Sequence, residues 1–170
     1  MQAQLEIKAK GIQEVKPRDI TKFKKRQWAI LGETLATKIV LDAEKGISQD
    51  GSGRSRDFKE YSYGYAKKKA AGKVIKAAAD RQTSPPNLRL TGEMLGSIKA
   101  QKATTSSVEI NYRSSAKVWG HSKKRGNKPK RNIYGLNDKN QQYVKDYISN
   151  EIDDRIVKFN KKDIVFDIKL

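Results

Sequence analysis

The chain has 170 residues, of which 36% are hydrophobic and 33% charged, and its formal net charge is +18. This length is typical of one domain with a single modest core. No apolar run reaches the roughly 20 residues that a membrane-spanning helix needs, so we expect no membrane contact. The chain has no cysteine, which excludes disulfides and thiolate metal sites.

The positive charge is concentrated in the middle of the chain. From Arg54 to Arg131 there are 20 basic and 5 acidic residues, whereas the two flanks together have 17 basic and 14 acidic residues. Such a region indicates an anionic partner, which is most often a phosphate backbone or an acidic protein face. The alternative interpretation is that the charge only keeps the protein in solution.

The N-terminal part of the chain is expected to form a strand and then a long helix. Residues 5–9 alternate apolar and charged side chains, which predicts a half-buried strand. From Ile20 onward apolar residues recur at helical spacing until Gly46, and Asp19 is the expected N-cap. This pattern predicts an amphipathic helix of about seven turns.

The next part is expected to be extended and basic. Residues 48–56 have the composition of a loop, and the tyrosines between residues 61 and 65 are expected in an extended segment. Residues 67–79 are rich in alanine and lysine and predict a helix that is marginal in isolation. Pro85 and Pro86 require a turn or linker. We expect mobile basic loops at about residues 48–88 and 120–132.

Short elements and a second long helix are expected in the remainder. Thr91 is the expected cap of a short helix that carries Leu95, and residues 108–112 alternate as a strand with residues 116–119 as its antiparallel partner. Asp138 and Gln141 resemble a capping box at the start of a C-terminal helix. Residues 164–170 alternate as a final strand.

Together these patterns predict the α+β class. One small, mostly antiparallel sheet is expected to pack on the long N-terminal helix and the C-terminal helix, with a long basic extended loop.

No catalytic, cofactor or metal site is predicted. His121 is the only histidine and has no carboxylate within ten residues, so the local sequence supplies neither a triad nor a ligand set. Asp153 and Asp154 are adjacent and therefore point to different helix faces, which disfavours a joint metal site. They are more consistent with a solvated surface or the acidic half of a subunit contact. We therefore expect that the protein is not an enzyme.

Two groups of residues are the best candidates for contact with DNA or a partner. The first, the tyrosine–lysine segment from Tyr61 to Lys76, interleaves aromatic rings that can stack with ammonium groups that neutralise phosphates. The alternative is an arm that orders against a neighbouring subunit. The second is a basic loop without acidic neighbours, whose like charges repel unless partnered or screened. Nothing in either group is suited to distinguish bases. The candidates are Tyr61, Tyr63, Tyr65, Lys67, Lys68, Lys69, Lys73, Lys117, Lys123, Lys124, Arg125, Lys128, Lys130 and Arg131.

Three segments follow one another in a fixed order along the chain. The first runs from Phe58 to Lys69, the second is LTGEMLGSI at residues 90–98, and the third runs from His121 through Arg131 to Leu136. Their order and spacing resemble the tail-completion proteins of tailed bacteriophages, which are also called neck or virion-morphogenesis proteins.

The resemblance implies a single α+β domain over residues 1–170 that assembles into a homo-oligomeric ring. Such a subunit is made in the host cytoplasm and joins the head–tail junction of the virion, between portal, adaptor or tail proteins. There the ring lines or seals the DNA channel and contacts duplex DNA non-specifically. The resemblance also implies that Leu90, Leu95 and Ile98 are core residues and that Arg131 anchors the loop before the last helix.

The residues alone also permit a function of a different class. In this alternative the protein is a monomeric or dimeric basic protein that coats DNA or RNA without sequence specificity, and it forms no ring. A nuclease is a weaker third option, because the sequence offers no cluster of metal ligands.

Overall fold

A computed structural model of the chain describes residues 6–10, 22–54, 57–74, 80–89, 91–113, 115–122, 130–160 and 165–169. The elements in these ranges, in chain order, are β1 (Glu6–Lys10), α1 (Lys25–Glu44), α2 (Tyr63–Ala70), α3 (Glu93–Gly96), β2 (Ile98–Gln101), β3 (Glu109–Tyr112), α4 (Ser115–Ser122), α5 (Asp138–Asn160) and β4 (Val165–Lys169). Small antiparallel pairings beside a long N-terminal and a long C-terminal helix confirm the predicted α+β class.

Two compact units divide the chain. One is Phe23–Lys145, and the other combines Met1–Lys22 with Asp146–Leu170. In the second unit β1 pairs antiparallel with β4, in a register that places Glu6 opposite Lys169. Both strands were predicted from alternating side chains, and the pairing joins the two ends of the described chain.

The described strands form two separate two-stranded sheets, where the sequence predicted one sheet. In the unit Phe23–Lys145, β2 pairs antiparallel with β3, and Ile98 lies opposite Tyr112. The prediction that residues 116–119 are the partner strand of β3 is wrong, because they lie in α4. A segment of four residues, here Ala-Lys-Val-Trp, is too short for its periodicity to distinguish a strand from a helix.

Helix α1 ends where the sequence predicts. Gly46 has φ +76°, a left-handed conformation that favours glycine. Its N–H donates to the carbonyl of Ala43 at 3.2 Å, and the N–H of Ile47 donates to the carbonyl of Asp42 at 2.8 Å. These two bonds form a Schellman motif that satisfies the last carbonyls of the helix. The helix begins at Lys25 with Lys24 as its N-cap, so the prediction that it begins near Ile20 with Asp19 as N-cap is wrong.

The predicted caps of α3 and α5 need correction by one residue each. Gly92, with φ +81°, is the N-cap of α3, where Thr91 was expected. At α5 the side-chain oxygen of Asn137 accepts the N–H of Asn140 at 2.9 Å. Gln141 instead donates from its side chain to the carbonyl of Leu136 at 2.8 Å. Asparagine is among the best N-cap residues, so α5 has the usual cap one position before the predicted one.

The core of the unit Phe23–Lys145 lies between α1 and the segments that carry the predicted contacts. Burying one aliphatic or aromatic side chain of this kind contributes about 1.5–3 kcal/mol. Leu95 and Ile98 are buried as expected, whereas Leu90 lies outside the described residues. The buried cluster is Ala36, Ile39, Ala43, Phe58, Met94, Leu95, Ile98, Val118 and Ile133. Phe58, just before the tyrosine–lysine segment, and Ile133, just after the basic loop, therefore share one core.

Candidate functional site

Helix α2 contains five of the seven candidate tyrosines and lysines of the tyrosine–lysine segment, and its tyrosines were predicted to be extended. It ends in a Schellman motif: Gly72 has φ +68°, and the N–H of Lys73 donates to the carbonyl of Lys68 at 2.8 Å. Lysines fill its last turn, where the helix dipole favours cations. Tyr63 is 82% exposed, and Lys67 is exposed one turn later. The outer face of α2 therefore combines an aromatic ring with cations.

Lys69 does not belong to that outer face. Its side chain is 1% exposed, and its ammonium donates to the carbonyl of Gln82 at 2.6 Å, Oδ1 of Asn87 at 2.8 Å and Oδ2 of Asp80 at 3.3 Å. Burial lowers the pKa of Lys69, and the nearby Asp80 carboxylate opposes that shift. Three acceptors match the three donors of an ammonium group, so Lys69 has a structural role. Its ammonium is not exposed for the predicted contact with DNA or a partner.

Tyr61 lies between two cations of its own chain. The Lys69 Nζ is 5.1 Å from the centroid of its ring, and the Arg131 Cζ is 4.8 Å from the same centroid. The Tyr61 hydroxyl accepts the N–H of Leu88 at 3.3 Å, and the Tyr65 ring centroid is 5.0 Å away. Burial raises the pKa of the Tyr61 hydroxyl. These contacts occupy the ring within the subunit, so Tyr61 offers no open stacking surface.

Arg131 is buried as well, and it joins the end of the basic loop to the backbone just before the tyrosine–lysine segment. Its side chain donates to the carbonyl of Lys59 at 2.7 Å and to that of Glu60 at 3.2 Å, and the residue is 8% exposed. This position differs from the predicted DNA contact. It agrees with the anchoring role that the resemblance implies for Arg131.

The two ends of the predicted basic loop meet at one point. The N–H of Arg131 donates to the carbonyl of His121 at 2.9 Å, which joins the end of α4 to the residues before α5. Lys123, Lys124, Arg125 and Lys128 lie between these two points and outside the described residues. The segment that carries these four cations therefore begins and ends beside two residues that are hydrogen-bonded to each other.

The exposed cations of the predicted set fall into two groups. Lys67, Lys68 and Lys73 form no ion pair with any residue that the structure describes. Lys117 pairs with Glu93 at 3.0 Å, and Lys130 pairs with Asp50, in both cases near the surface. Exposed pairs of this kind contribute less than about 1 kcal/mol, so a polyanion can compete for both lysines.

An aromatic groove near α4 was missed by the sequence analysis. Trp119 stacks on Tyr134 with ring centroids 5.4 Å apart, and Tyr112 contacts Tyr134 at the same centroid distance. The cavity between them has a volume of about 400 Å³. Burial raises the pKa of Tyr112 to about 12. Trp119 was predicted in a strand but lies in α4, and only the folded chain brings Tyr134 next to it.

Within the described ranges, no three or more His, Asp or Glu side chains are grouped to hold a metal ion. None of the described helices combines the length and apolar character needed to cross a membrane. No protein-family model, curated protein or solved structure matches the chain. The chemistry that the described site supports is charge neutralisation and packing by exposed lysines and aromatic rings.

The stability of the Lys69–Asp80–Asn87 cluster is expected to fall in acid. Burial alone raises the pKa of Asp80, but hydrogen bonds from Gln82 and Asn87 and the charge of Lys69 together lower it below 3.8. A depressed carboxyl pKa stabilises the fold above the unfolded-state pKa, and this contribution is lost as the pH falls through the folded-state value. Urea unfolding at pH 6 and at about pH 3 measures this change in the free energy of unfolding.

The matched control for this prediction is Asp80→Asn, which keeps the shape and removes the titration. We expect wild type to be more stable than Asp80→Asn at pH 6 and the difference to shrink in acid. An equal difference at both pH values contradicts the assignment of the acid-sensitive contribution to Asp80.

Proposed function

We propose that this protein is a structural virion protein of a tailed bacteriophage, a ring-forming neck or tail-completion subunit that lines or seals the DNA channel. The observation that carries the proposal is the convergence of the three segments that resemble this family. Phe58 from the first segment, Leu95 from the second and Ile133 from the third share one buried core. Tyr61 from the first segment also lies against Arg131 from the third. Segments far apart in sequence thus pack together, and this supports the proposal.

The distribution of charge supports contact with the DNA backbone. Lys67 and Lys68 are exposed on α2, and the basic loop adds further cations beyond a buried base at Arg131. Ammonium groups neutralise phosphates without distinguishing bases, so this contact is independent of sequence. A channel that must let any DNA sequence pass needs that property.

Deleting the gene from the phage genome that carries it tests the proposal. Electron microscopy of the resulting particles should show DNA-filled or leaking heads beside unattached or missing tails. Supplying the gene from a plasmid should restore tailed particles, which controls for effects on neighbouring genes. Normal tailed particles after the deletion overturn the proposal.

The second candidate function is a basic protein that coats DNA or RNA without sequence specificity. The observation that favours it is the set of exposed lysines without an ion pair among the described residues, Lys67, Lys68 and Lys73. It predicts tight binding of the isolated chain to free duplex DNA. In that case log K falls against log salt with a slope of about 0.9 for each neutralised phosphate.

The basic loop is expected to contribute to DNA retention but not to stability. The test replaces Lys123, Lys124, Arg125 and Lys128 with glutamine and leaves the buried Arg131 unchanged. We expect the same unfolding curve as wild type, and a salt slope of duplex binding that is smaller by about 0.9 for each phosphate that the variant no longer neutralises. Circular dichroism and fluorescence anisotropy measure the two quantities.

The matched control replaces four exposed lysines outside the basic region, Lys25, Lys139, Lys145 and Lys158. It removes the same charge, so a purely global effect of net charge lowers the salt slope equally in both variants. A loop variant that loses its fold shows instead that the loop is structural.

A further inference from the structure

The aromatic groove presents apolar surface to solvent. Trp119 is 44% exposed and Tyr134 is 51% exposed, and the two rings are stacked at an interplanar angle of 26°. Tyrosine and tryptophan dominate the energetics of protein interfaces when they fill or line such cavities. Contiguous exposed aromatic surface of this kind is typical of a place where another molecule binds.

Basic side chains lie next in sequence to residues that line the groove. Arg113 follows Tyr112 and Lys117 precedes Val118; both cations are exposed, and Lys117 forms a surface pair with Glu93 at 3.0 Å. Glu109, which also borders the groove, is paired with Lys102 at 3.3 Å. A partner that carries apolar side chains beside carboxylates is therefore complementary to this surface.

The same chain offers such a segment on the second half of α5. Ile156 and Val157 are 39% and 48% exposed, and Asp153 and Asp154 are exposed just before them. Asp153 lies three and four residues before the two apolar residues, so all three share one face of the helix. Arg155 donates to the carbonyl of Lys22 at 2.9 Å, so this cation has a contact within its own unit.

We propose that the segment Asp153–Val157 of a second copy of the chain docks in the aromatic groove. Ile156 and Val157 pack against Trp119 and Tyr134, and the carboxylate of Asp153 faces the basic residues around the groove. The two surfaces are different, so the contact is heterologous and generates a ring when the rotation between subunits closes. This inference rests on the proposed ring function and gives that ring its interface.

Duplex DNA is a poorer occupant of the groove. Its bases are stacked inside the double helix and present no free face to an aromatic side chain. The bases of an unpaired strand do present free faces, so binding of oligo(dT) is measured as the competing outcome.

Mixing two interface variants tests the proposal. Trp119→Ala removes the groove and keeps the docking segment, whereas Val157→Asp removes the docking segment and keeps the groove. We expect wild type to self-associate in sedimentation velocity and each variant alone to associate about thirtyfold more weakly, as expected when an interface hot spot is removed. Because the intact halves are complementary, an equimolar mixture should form a discrete dimer of one copy of each.

The matched control is Ile30→Asp, since Ile30 is 46% exposed on α1 and belongs to neither surface. It should associate as wild type does. Tyr134→Ala is the second groove variant, and it is used if circular dichroism shows that Trp119→Ala has lost its fold. A monomeric wild type, unchanged association of the variants or a mixture that stays monomeric overturns the interface.

Loss of oligo(dT) binding in Trp119→Ala with unchanged association also overturns the interface and assigns the groove to unpaired bases. The gene deletion separates these failures from failure of the proposed function. Tailless particles after the deletion, together with unaffected association of the variants, retain the neck function and reject only this contact.

Discussion

Replacing Asp42 with alanine is expected to lower the free energy of unfolding by about 3–5 kcal/mol, as found when one partner of a buried charged network is removed. Oδ2 of Asp42 accepts hydrogen bonds from the side-chain amides of Gln49 at 3.1 Å, Asn137 at 3.0 Å and Asn140 at 2.8 Å. All four residues are buried, so the variant leaves polar groups without their shared acceptor. Chemical denaturation followed by circular dichroism measures the loss.

Two controls separate this network from a general effect of mutating α1. Asp42→Asn keeps the shape but has one acceptor oxygen, so we expect a smaller loss than for alanine. Glu33→Ala removes an exposed carboxylate from the same helix and is expected to change stability by less than about 0.5 kcal/mol. Similar stability of Asp42→Ala and wild type refutes the assigned role.

The Asp42 network also supports the surface proposed to contact DNA. The segment after α1 is also hydrogen-bonded to the residues that follow the basic loop. The N–H of Gln49 donates to the carbonyl of Asn132 at 2.9 Å, and the hydroxyl of Ser48 donates to the same carbonyl at 3.2 Å. The side-chain amides of Asn137 and Asn140, at the start of α5, both donate to the Asp42 carboxylate. The end of the basic loop is thereby fixed at the C-terminal end of α1.

The elements that were predictable are those whose apolar residues repeat with the period of a helix or a strand. Apolar side chains at helical spacing indicated α1 and its end at Gly46, and alternation indicated β1, β3 and β4. The start of α5 at Asp138 also agrees with the predicted position, although Asn137 is the capping residue. In each case a local pattern with a physical period determines the structure.

The burial of charged residues was not predictable in the same way. Lys69 has the same lysine neighbours as the exposed Lys67 and Lys68, and only contacts with residues 80–87 distinguish it. Arg131 likewise ends a basic run, and its carbonyl partners are about seventy residues earlier in the chain. Long-range acceptors leave no periodic signal in the sequence, so a lysine or arginine appears as surface charge until its partners are known.

Replacing Gly53 with alanine is expected to cost about 3–4 kcal/mol, although Gly53 lies in a loop whose composition indicated nothing beyond a turn. Its φ is +71°, where a side chain is strained by about 1–2 kcal/mol. An added Cβ also lies 2.5 Å from the side-chain oxygen of Asn137 and 2.6 Å from its Cγ. The side-chain amide of Asn137 must then move. This movement weakens the cap of α5 and the hydrogen bond from Asn137 to Asp42, by about 1 kcal/mol each.

The matched control is Gly64→Ala, because Gly64 lies in α2 and a Cβ there meets nothing within 4 Å. We expect it to stabilise the protein by about 0.5–1 kcal/mol, the usual advantage of alanine over glycine in a helix. If both glycine variants change stability alike, the close approach to Asn137 is not what requires glycine at position 53.

The two variants are expected to be coupled, since both act on Asn137. In Asp42→Ala the Asn137 amide has already lost its carboxylate acceptor. Displacing the amide by Gly53→Ala therefore costs less free energy of unfolding in that variant than in wild type. The double variant should therefore be more stable than the sum of the two losses predicts, by about 0.5–3 kcal/mol. Strict additivity in a double-mutant cycle contradicts a shared network and means that Gly53 is required for its backbone conformation alone.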